Sequence, residues 1–529
     1  MIALGQSKTK RLVSLHGWSG VIMAALLYVV VLSGTIVVFG HEIGTWSRGA
    51  PGAGNALEHP IDHAVRSHAR ALDPAYLDDV TISSTDRGHL SIFYHTHAKD
   101  QNGQIADKGV RILLDPVTDA VISRDEGFSR EIFRRDPASA LERFLIDLHI
   151  RLHIPGFLGL LATGLLGLWM MISGVSGLLA HRHAIRDLFV PERPGARLVS
   201  ARDRHVLAGT WSLIFAILVA FTGAFFSFAG SIGIPLMATV AFGGDQQAMV
   251  EAVIGFPAAG DSTPATMASL DYIIRDAAER AGSLPGSLVI THYGQADATV
   301  LTRHGPAPGA LTGVSLLYDG PTRAYEGIKP FLGTVPSAGD TAVGLMAPLH
   351  FGHFAGFLSK ILWVALGAAM CFVILSGTSL WLKRRAEQPG WLVFHRFISA
   401  VAYGFPIAMV ACAYAHLISL PFGTSLWWTP AVFIFASILL LGYGAIRPDV
   451  LGTAIRMRHM LGLGLMGLPL CRLLTIGPSW AEGVATGATA QPVIDITLLA
   501  MGAALVWWPH VLAFFRREKD GLVVLEPAE

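Results

Sequence analysis

Charged residues are scarce in this sequence. Asp, Glu, Lys and Arg make up only 15% of the 529 residues, whereas hydrophobic residues make up 52%. Soluble globular domains carry about 25% charged residues, so the composition excludes an ordinary soluble protein and indicates a membrane protein. The formal net charge is only +1, which gives no argument for binding nucleic acid.

Cysteine is almost absent as well. The three cysteines, Cys371, Cys412 and Cys471, lie in long apolar segments, and none belongs to a C-x-x-C-H haem-attachment motif or to a thiol cluster. We expect them to pack as small apolar side chains. Any haem in this protein must therefore be a b-type haem, held without a covalent link to the chain.

Several cofactor motifs are missing. The sequence contains neither a G-x-x-x-x-G-K-[ST] nucleotide loop nor a G-x-G-x-x-G turn after a soluble strand. No site for NADH or a flavin can be located, so electrons for a redox reaction must come from a separate donor. Ionisable residues are also rare in the middle of the apolar segments, where ion-coupled transporters usually carry them.

Eight apolar segments are long enough to cross a bilayer, which takes about 20 residues. They cover residues 13–39, 155–180, 206–231, 355–382, 397–420, 427–446, 459–477 and 492–513. The first is too long for the apolar part of a signal peptide, so we interpret it as a retained span. Basic residues cluster at alternate ends of these spans: Lys8, Lys10, Arg11, Arg182, Arg186, Arg193, Arg197, Arg202, Arg204, Lys383, Arg384, Arg385, Arg447, Arg456, Arg458, Arg516 and Arg517. Because basic residues favour the cytoplasmic side, this pattern predicts that both termini are cytoplasmic.

Two long polar segments, about 40–150 and 232–350, then lie on the periplasmic side. Each begins with a helical pattern, continues with three strand patterns and ends in a turn. The helices are predicted at 61–72 and 267–281, and the strands at 80–82, 90–94, 110–114, 287–291, 298–302 and 314–318. This order predicts two small α+β modules.

The repeat extends into the apolar segments, where matching motifs occur in both halves. These motifs are His16 followed by Ser33-Gly34, His205 followed at the same interval by Thr222-Gly223, Ser173-Gly174-Val175-Ser176, and Ser376-Gly377-Thr378-Ser379. Span, module and span therefore occur twice in parallel orientation. The last four spans do not share the pattern.

Histidines mark the membrane ends of the repeated spans. His16 and His205 begin the outward-going spans, whereas His149 and His350 lie at the mouths of the inward-going spans. A two-fold axis relating the repeats would bring His16 opposite His205 near the cytoplasm, and His149 opposite His350 near the periplasm. Two axial imidazoles hold haem iron without an open position, which favours electron transfer over oxygen chemistry.

Other roles for histidine compete with haem ligation. His153 and His353 lie one turn beyond His149 and His350, so they are predicted as alternative ligands or as contacts for a haem propionate. A single histidine at a membrane interface is most often only an amphipathic anchor. Zinc is less favoured within the spans, which lack Asp, Glu or Cys partners. The first polar segment carries enough histidines to consider a metal contact, although solvated surface residues are the default: His59, His63, His68, His89, His95 and His97.

The chain resembles the PepSY-associated transmembrane family, which includes bacterial inner-membrane siderophore reductases and iron-regulated membrane proteins. The resemblance covers about residues 10–386 and rests on His16-Gly17-Trp18-Ser19-Gly20, Ser33-Gly34, Asp115-Pro116-Val117-Thr118, Leu148-His149, Ser173-Gly174, His205, Thr222-Gly223, Pro348-Leu349-His350-Phe351-Gly352, Ser376-Gly377 and Trp381-Leu382-Lys383-Arg384-Arg385. It implies two haems b between the transmembrane helices, one held by His16 and His205 and one by His149 and His350. It also implies that the polar modules are PepSY-like.

The expected fold class is an all-α polytopic membrane helix bundle with two periplasmic α+β PepSY-like modules in a parallel internal repeat. The predicted parts are the first span (1–40), module one (41–148), spans two and three (149–231), module two (232–349), the fourth span (350–386) and a four-span C-terminal extension (387–529). The role of the extension does not follow from the sequence.

The resemblance implies an oxidoreductase of the bacterial inner membrane that reduces a ferric siderophore or another periplasmic ferric chelate. The electron donor would be a quinol or a cytoplasmic reductase, and membrane lipid would surround the spans. Two alternatives remain open at this point. One is a membrane-anchored PepSY binding or regulatory protein without redox activity, and the other is a transporter for a metal or its chelate.

Overall fold

The computed structural model describes residues 5–49, 54–85, 87–100, 105–181, 197–255, 260–385, 388–477, 480–485 and 490–522. Its α-helices in chain order are α1 Gln6–Ile22, α2 Ala24–Val37, α3 Gly40–Arg48, α4 Asp62–Ala69, α5 Ser129–Arg134, α6 Ala140–Arg151, α7 Phe157–Ala180, α8 Arg197–Phe228, α9 Ile234–Ala241, α10 Gln246–Ile254, α11 Leu270–Ala281, α12 Ala338–Phe351, α13 Gly356–Lys383, α14 Pro389–Ser419, α15 Ser425–Ile446, α16 Val450–Thr475, α17 Trp480–Ala485 and α18 Ala490–Leu522. The strands are β1 Asp79–Ser84, β2 Leu90–Lys99, β3 Ile105–Leu114, β4 Val121–Phe128, β5 Ser287–Thr291, β6 Thr299–His304, β7 Val314–Asp319 and β8 Tyr325–Ile328.

The described part of the chain is mostly helical, and six of its helical segments are long and apolar enough to cross a membrane. They are Phe157–Ala180, Val199–Ala241, Gly356–Lys383, Pro389–Phe422, Ser425–Ile446 and Ala490–Trp507. Together, α1 and α2 form a seventh candidate, although they meet at a bend of 68°. The predicted seventh span, 459–477, is not among these candidates. Most of it lies in α16, which is less apolar because it carries Arg456, Arg458 and Arg472. The basic residues Arg182, Arg186 and Arg193 of the predicted second loop lie outside the described residues.

The first predicted span, 13–39, is a broken helix rather than a single straight one. The break falls at Met23, whose φ of −99° and ψ of 3° depart from helical values. No proline or other recognisable helix breaker marks this position in the sequence. The bend separates α1, which packs against α7, from α2, which packs against α6 and α13.

The remaining membrane helices surround this broken helix. The repeated spans α7, α8 and α13 pack in sequence, and α14 continues the bundle by contacting α2, α13, α15 and α16. The Tyr28 hydroxyl of α2 donates a hydrogen bond to the Ala402 carbonyl of α14 at 2.8 Å. The C-terminal extension is therefore packed directly against the first span.

The two polar segments build one antiparallel sheet with the strand order β4-β3-β2-β1-β5-β6-β7-β8. The central pair is β1 with β5, in which Thr81 lies opposite Val289. The sequence predicted only three strands in each half. The additional strands β4 and β8 follow the turns at Asp115 and Asp319, whose carboxylates accept hydrogen bonds from the Thr118 and Thr322 backbones. Their mainly exposed residues give little apolar alternation, which explains why the sequence pattern missed them.

The helices α4 and α11 cover one face of the sheet and bury its apolar residues. This core contains Ile61, Val65, Val80, Ile82, Tyr94, Ile273, Leu288, Ile290 and Tyr318. The two helices also cap each other: Asp271 accepts hydrogen bonds from the backbone N–H groups of Ile61 and Asp62, and Asp62 accepts one from Leu270. The two halves therefore share both a sheet and a hydrophobic core.

Candidate functional site: two histidine pairs in the helix bundle

The outer pair consists of His149 and His350, which lie in the last turns of α6 and α12. The sequence placed both histidines at the start of the following spans. Instead, both precede a helix break, because Leu152 and Gly352 adopt positive φ values of 52° and 68°. Short non-helical segments then lead into α7 and α13. The two imidazole rings face each other with centroids 6.1 Å apart and planes inclined by 26°.

The inner pair consists of His16 on α1 and His205 on α8. Their ring centroids are 6.3 Å apart, and the ring planes are inclined by 55°. Each imidazole of this pair contacts the second span of its own half: His16 contacts α7 and His205 contacts α13. The structure therefore brings both predicted histidine pairs together across the two repeats.

Hydrogen bonds define which ring nitrogen is protonated in His16 and His149. The Nδ1 atom of His16 donates to the Ser173 carbonyl at 2.9 Å, and that of His149 donates to the Val30 carbonyl at 3.0 Å. A carbonyl oxygen can only accept, so Nδ1 carries the proton and the Nε2 lone pair is available to a metal.

Hydroxyl groups produce the same tautomer in His205 and His350. The Ser376 hydroxyl donates to the Val373 carbonyl and lies 3.1 Å from Nδ1 of His205. In the same way, the Thr222 hydroxyl donates to the Leu218 carbonyl and lies 2.9 Å from Nδ1 of His350. Because each hydroxyl has only one proton, it accepts from the imidazole. Such hydrogen bonds orient metal-binding histidines.

Each of the four imidazoles lies against a glycine. A Cβ atom added to Gly34 would lie 2.6 Å from Cε1 of His149, and similar close approaches occur at Gly177, Gly223 and Gly377. In every case the absence of a side chain leaves the space that the imidazole occupies. The sequence aligned Ser173-Gly174 with Ser376-Gly377. The structure shows that the equivalent glycine is Gly177, three residues later, because it is Gly177 that contacts His16.

The separation of the rings fits two axial ligands of one metal. Consider two imidazoles bound on opposite sides of one metal ion, in line with it. Two metal–nitrogen bonds of about 2 Å each, added to the distance from each nitrogen to the centre of its ring, give a separation of about 6.4 Å between the ring centroids. The observed values of 6.3 Å and 6.1 Å agree with this geometry. The donor set of two neutral imidazoles is also one that haem iron accepts.

A cavity of about 940 Å³ surrounds the inner pair. Most of its lining is apolar or glycine, and it includes His16, His205, Gly177 and Gly377. Ligand and cofactor pockets in proteins typically measure about 300–1,000 Å³, so the cavity has the size of a cofactor site. Cationic side chains also line it, and these suit the carboxylates of haem propionates: Lys10, Arg202, Arg384 and Arg385.

The two pairs lie at opposite ends of the bundle. The helix α8 carries His205 of the inner pair near its start and Gly223, which contacts His350 of the outer pair, near its end. At 1.5 Å per residue, these positions are about 27 Å apart along the helix. This distance is close to the thickness of the hydrocarbon core of a bilayer, about 30 Å.

His153 and His353 lie beyond the ends of the helices that carry the outer pair. The sequence placed each of them one helical turn beyond its neighbour and on the same helix face. That prediction is wrong because α6 and α12 end before these residues are reached. The His153 ring instead stacks on Phe144, with centroids 4.3 Å apart, and the His353 ring is next to Phe351.

A buried ionic cluster in the C-terminal extension was not predicted. Arg472 of α16 forms a salt bridge with Asp495 of α18 at 2.7 Å, and both side chains are almost completely buried. The same carboxylate accepts hydrogen bonds from the indole N–H groups of Trp46 and Trp480. Only one sign of this cluster is present in the sequence: Arg472 and Asp495 are charged residues near the ends of the apolar segments 459–477 and 492–513. The cluster fixes α16 and α18 to α3.

Comparisons with known proteins agree with the resemblance seen in the sequence. The model of the PepSY-associated TM region matches residues 13–384, which include all four paired histidines. An uncharacterized protein of Pseudomonas aeruginosa is 27% identical over 387 residues, covering 68% of this chain and 92% of that protein. The matched family region ends near the end of α13, before the C-terminal extension that begins with α14.

Proposed function

We propose that this chain, which belongs to the family of the PepSY-associated TM region, is a di-haem b-type electron-transfer protein that reduces a periplasmic ferric chelate. One observation carries this proposal: two pairs of imidazoles, at opposite ends of the bundle, have the spacing of two axial ligands. Equivalent hydrogen bonds and equivalent glycines support all four imidazoles.

His16 and His205 would hold one haem b, and His149 and His350 would hold the other. A haem bound in this way supplies a one-electron Fe(III)/Fe(II) couple. The protein's own contribution is to hold each Nε2 in place through the hydrogen bond at Nδ1. With two histidines for each haem, both pairs would favour electron transfer over oxygen chemistry.

The proposed orientation places the inner pair near the cytoplasm. Lys10, Arg202, Arg384 and Arg385 line the cavity around this pair, and basic residues favour the cytoplasmic side of a membrane. With α16 counted as a span, the chain crosses the bacterial inner membrane eight times, with both termini cytoplasmic. The eight-stranded sheet, in which we place both PepSY-like modules, then lies in the periplasm.

The substrate that suits this arrangement is a ferric siderophore or a similar ferric chelate. One electron, supplied by a quinol or a cytoplasmic reductase, reduces the chelated Fe(III) to Fe(II). The lower charge weakens the bonds of iron to hard oxygen ligands and promotes its release. In this orientation the two histidine pairs lie near opposite faces of the membrane. The electron donor and the ferric chelate can therefore react on opposite sides of it.

The activity can be tested with haem-replete protein in lipid nanodiscs. The protein is reduced with dithionite, the excess reductant is removed, and a ferric trihydroxamate is added under anaerobic conditions. We expect the haem absorbance to return to the oxidised form while a chelator specific for Fe(II) captures stoichiometric ferrous iron.

A gallium trihydroxamate of the same shape and charge is the matched control, because Ga(III) cannot accept the electron. Reoxidation by the ferric chelate but not by the gallium chelate supports the proposal. Equal rates with both chelates, or no reoxidation with either, would reject ferric-chelate reduction.

A further inference from the structure

A cluster of two histidines and two aspartates lies on the sheet, far from the histidine pairs in sequence. Asp79 of β1 lies opposite His95 of β2, and His97 of β2 lies opposite Asp107 of β3. These residues alternate along the strands with core residues such as Val80. Side chains of a strand alternate between its two faces, so the cluster occupies the face away from the hydrophobic core.

The donor atoms of the cluster are close enough to share one ion. One ligand atom from each of Asp79, His95 and His97 lies within 4.8 Å of the other two. The Nε2 atom of His97 is 3.4 Å from Oδ2 of Asp79, and its Nδ1 atom is 3.1 Å from Oδ1 of Asp107. Asp107 therefore orients the His97 ring toward Asp79, as carboxylates orient histidines at metal sites.

His95 gives a second, independent reason to consider an ion at this cluster. Its side chain is almost fully buried, with 5% of the residue's surface exposed, yet its Nδ1 atom has no hydrogen-bond partner among the described residues. The other nitrogen, Nε2, lies 3.2 Å from the Thr81 hydroxyl.

The fold of the sheet does not require such a cluster. The corresponding strands β5, β6 and β7 contain one histidine, His304, and one carboxylate, Asp319, at opposite ends of their shared ladder. Both ring nitrogens of His304 have hydrogen-bond partners, the Ser283 carbonyl and the Thr302 hydroxyl. One half of the sheet thus forms without the cluster that the other half carries.

We propose that Asp79, His95 and His97 bind a divalent transition-metal ion, with Asp107 supporting His97 from behind. Two imidazoles and a carboxylate suit borderline ions such as Zn²⁺, whereas Ca²⁺ and Mg²⁺ prefer oxygen ligands alone. His97 and Asp107 are partly exposed, so an ion can enter from solvent. This inference does not depend on the redox function proposed above.

Zinc chloride alone is the probe, titrated by calorimetry into the full-length, haem-replete protein after treatment with a chelator. We expect one saturable site that the haem spectrum does not register. His97→Ala should weaken zinc binding at least tenfold, and Asp107→Asn about 10- to 100-fold, the usual effect of losing an outer carboxylate. His63→Ala is the matched control and should leave zinc binding unchanged. His63 is an exposed histidine of α4, next to Asp119, in the same half of the sheet domain.

His95→Gln tests the buried ligand, and its unfolding temperature without metal shows whether the variant folds. If His95→Gln does not fold, the His97→Ala variant still tests metal binding, because His97 is half-exposed. Zinc binding that is equally tight in the wild type and His97→Ala would overturn the proposal. So would the lack of any saturable site in the wild type, whatever the haem content of the protein.

Discussion

The imidazole rings of His149 and His350 face each other with their centroids 6.1 Å apart. Along the chain, the four strands of the second half of the sheet lie between these two residues. Each ring lies against a glycine of a first or third apolar segment, Gly34 for His149 and Gly223 for His350. The same relationship recurs at His16 and His205. The repeat thus preserves a histidine, a hydrogen-bond acceptor and a glycine at both ends of the bundle, as the two proposed haem sites require.

Substitution of Gly34 by alanine should displace the His149 ring. The added methyl group would lie 2.6 Å from Cε1 of the imidazole, much closer than any real contact. We expect Gly34→Ala to lose most of the outer haem and keep the inner one, so that haem per chain falls by about half. The pyridine haemochrome assay measures this. Gly442→Ala, whose added methyl would meet nothing within 4 Å, should keep both haems; equal haem contents in the two variants would contradict the role of Gly34.

Replacement of His153 distinguishes the paired histidine from its neighbour. His153 stacks on Phe144, and the ring that faces His350 is that of His149. We therefore expect His153→Ala to retain two low-spin haems, whereas His149→Ala retains one. Absorption spectra of the reduced proteins provide the measurement. Loss of a haem in His153→Ala with retention in His149→Ala would show that the ligands are assigned wrongly.

The buried ion pair of the extension should be important for stability. Arg472→Ala leaves the Asp495 carboxylate buried without its charged partner, which typically costs about 3–5 kcal/mol. We expect a clear fall in the thermal unfolding midpoint of the detergent-solubilised protein. Arg456→Ala is the control, because Arg456 and Asp449 are exposed and 4.0 Å apart, and such pairs contribute at most about 1 kcal/mol. Similar midpoints for the two variants would contradict this account.

The reciprocal helix caps should hold the two halves of the sheet domain together. Asp271→Ala removes the acceptor for the backbone N–H groups of Ile61 and Asp62, and the loss of a cap usually costs about 0.5–2 kcal/mol. Asp271→Asn retains an acceptor oxygen, so it should restore most of the stability. Hydrogen exchange at the start of α4 measures the local effect. Unchanged protection in Asp271→Ala would show that the cap contributes nothing.

The sequence predicted the histidine pairs because they belong to a repeat, and a repeat implies symmetry. His16 and His205 precede equivalent motifs at equal intervals, so a two-fold relationship was enough to bring them together. The positions of His153 and His353 could not be predicted in the same way. They depend on the local helix ends at Leu152 and Gly352, and a leucine with positive φ has no signature in the sequence.

Interactions between distant segments could not be predicted from the sequence either. The pairing of β1 with β5 unites two modules that were predicted as separate, because alternation within a strand does not reveal its neighbour. The contacts of Asp495 with Arg472, Trp46 and Trp480 likewise join four helices. His95 was classed with the surface histidines, and only the folded sheet shows that it is buried.

The most direct test of the central claim is the haem content and the reduced-minus-oxidised absorption spectrum of the purified, full-length protein. We expect two b-type haems per chain with low-spin bis-histidine spectra, falling to one haem in His16→Ala and in His149→Ala. A colourless protein from haem-replete cells, or a haem content unaffected by both substitutions, would contradict it.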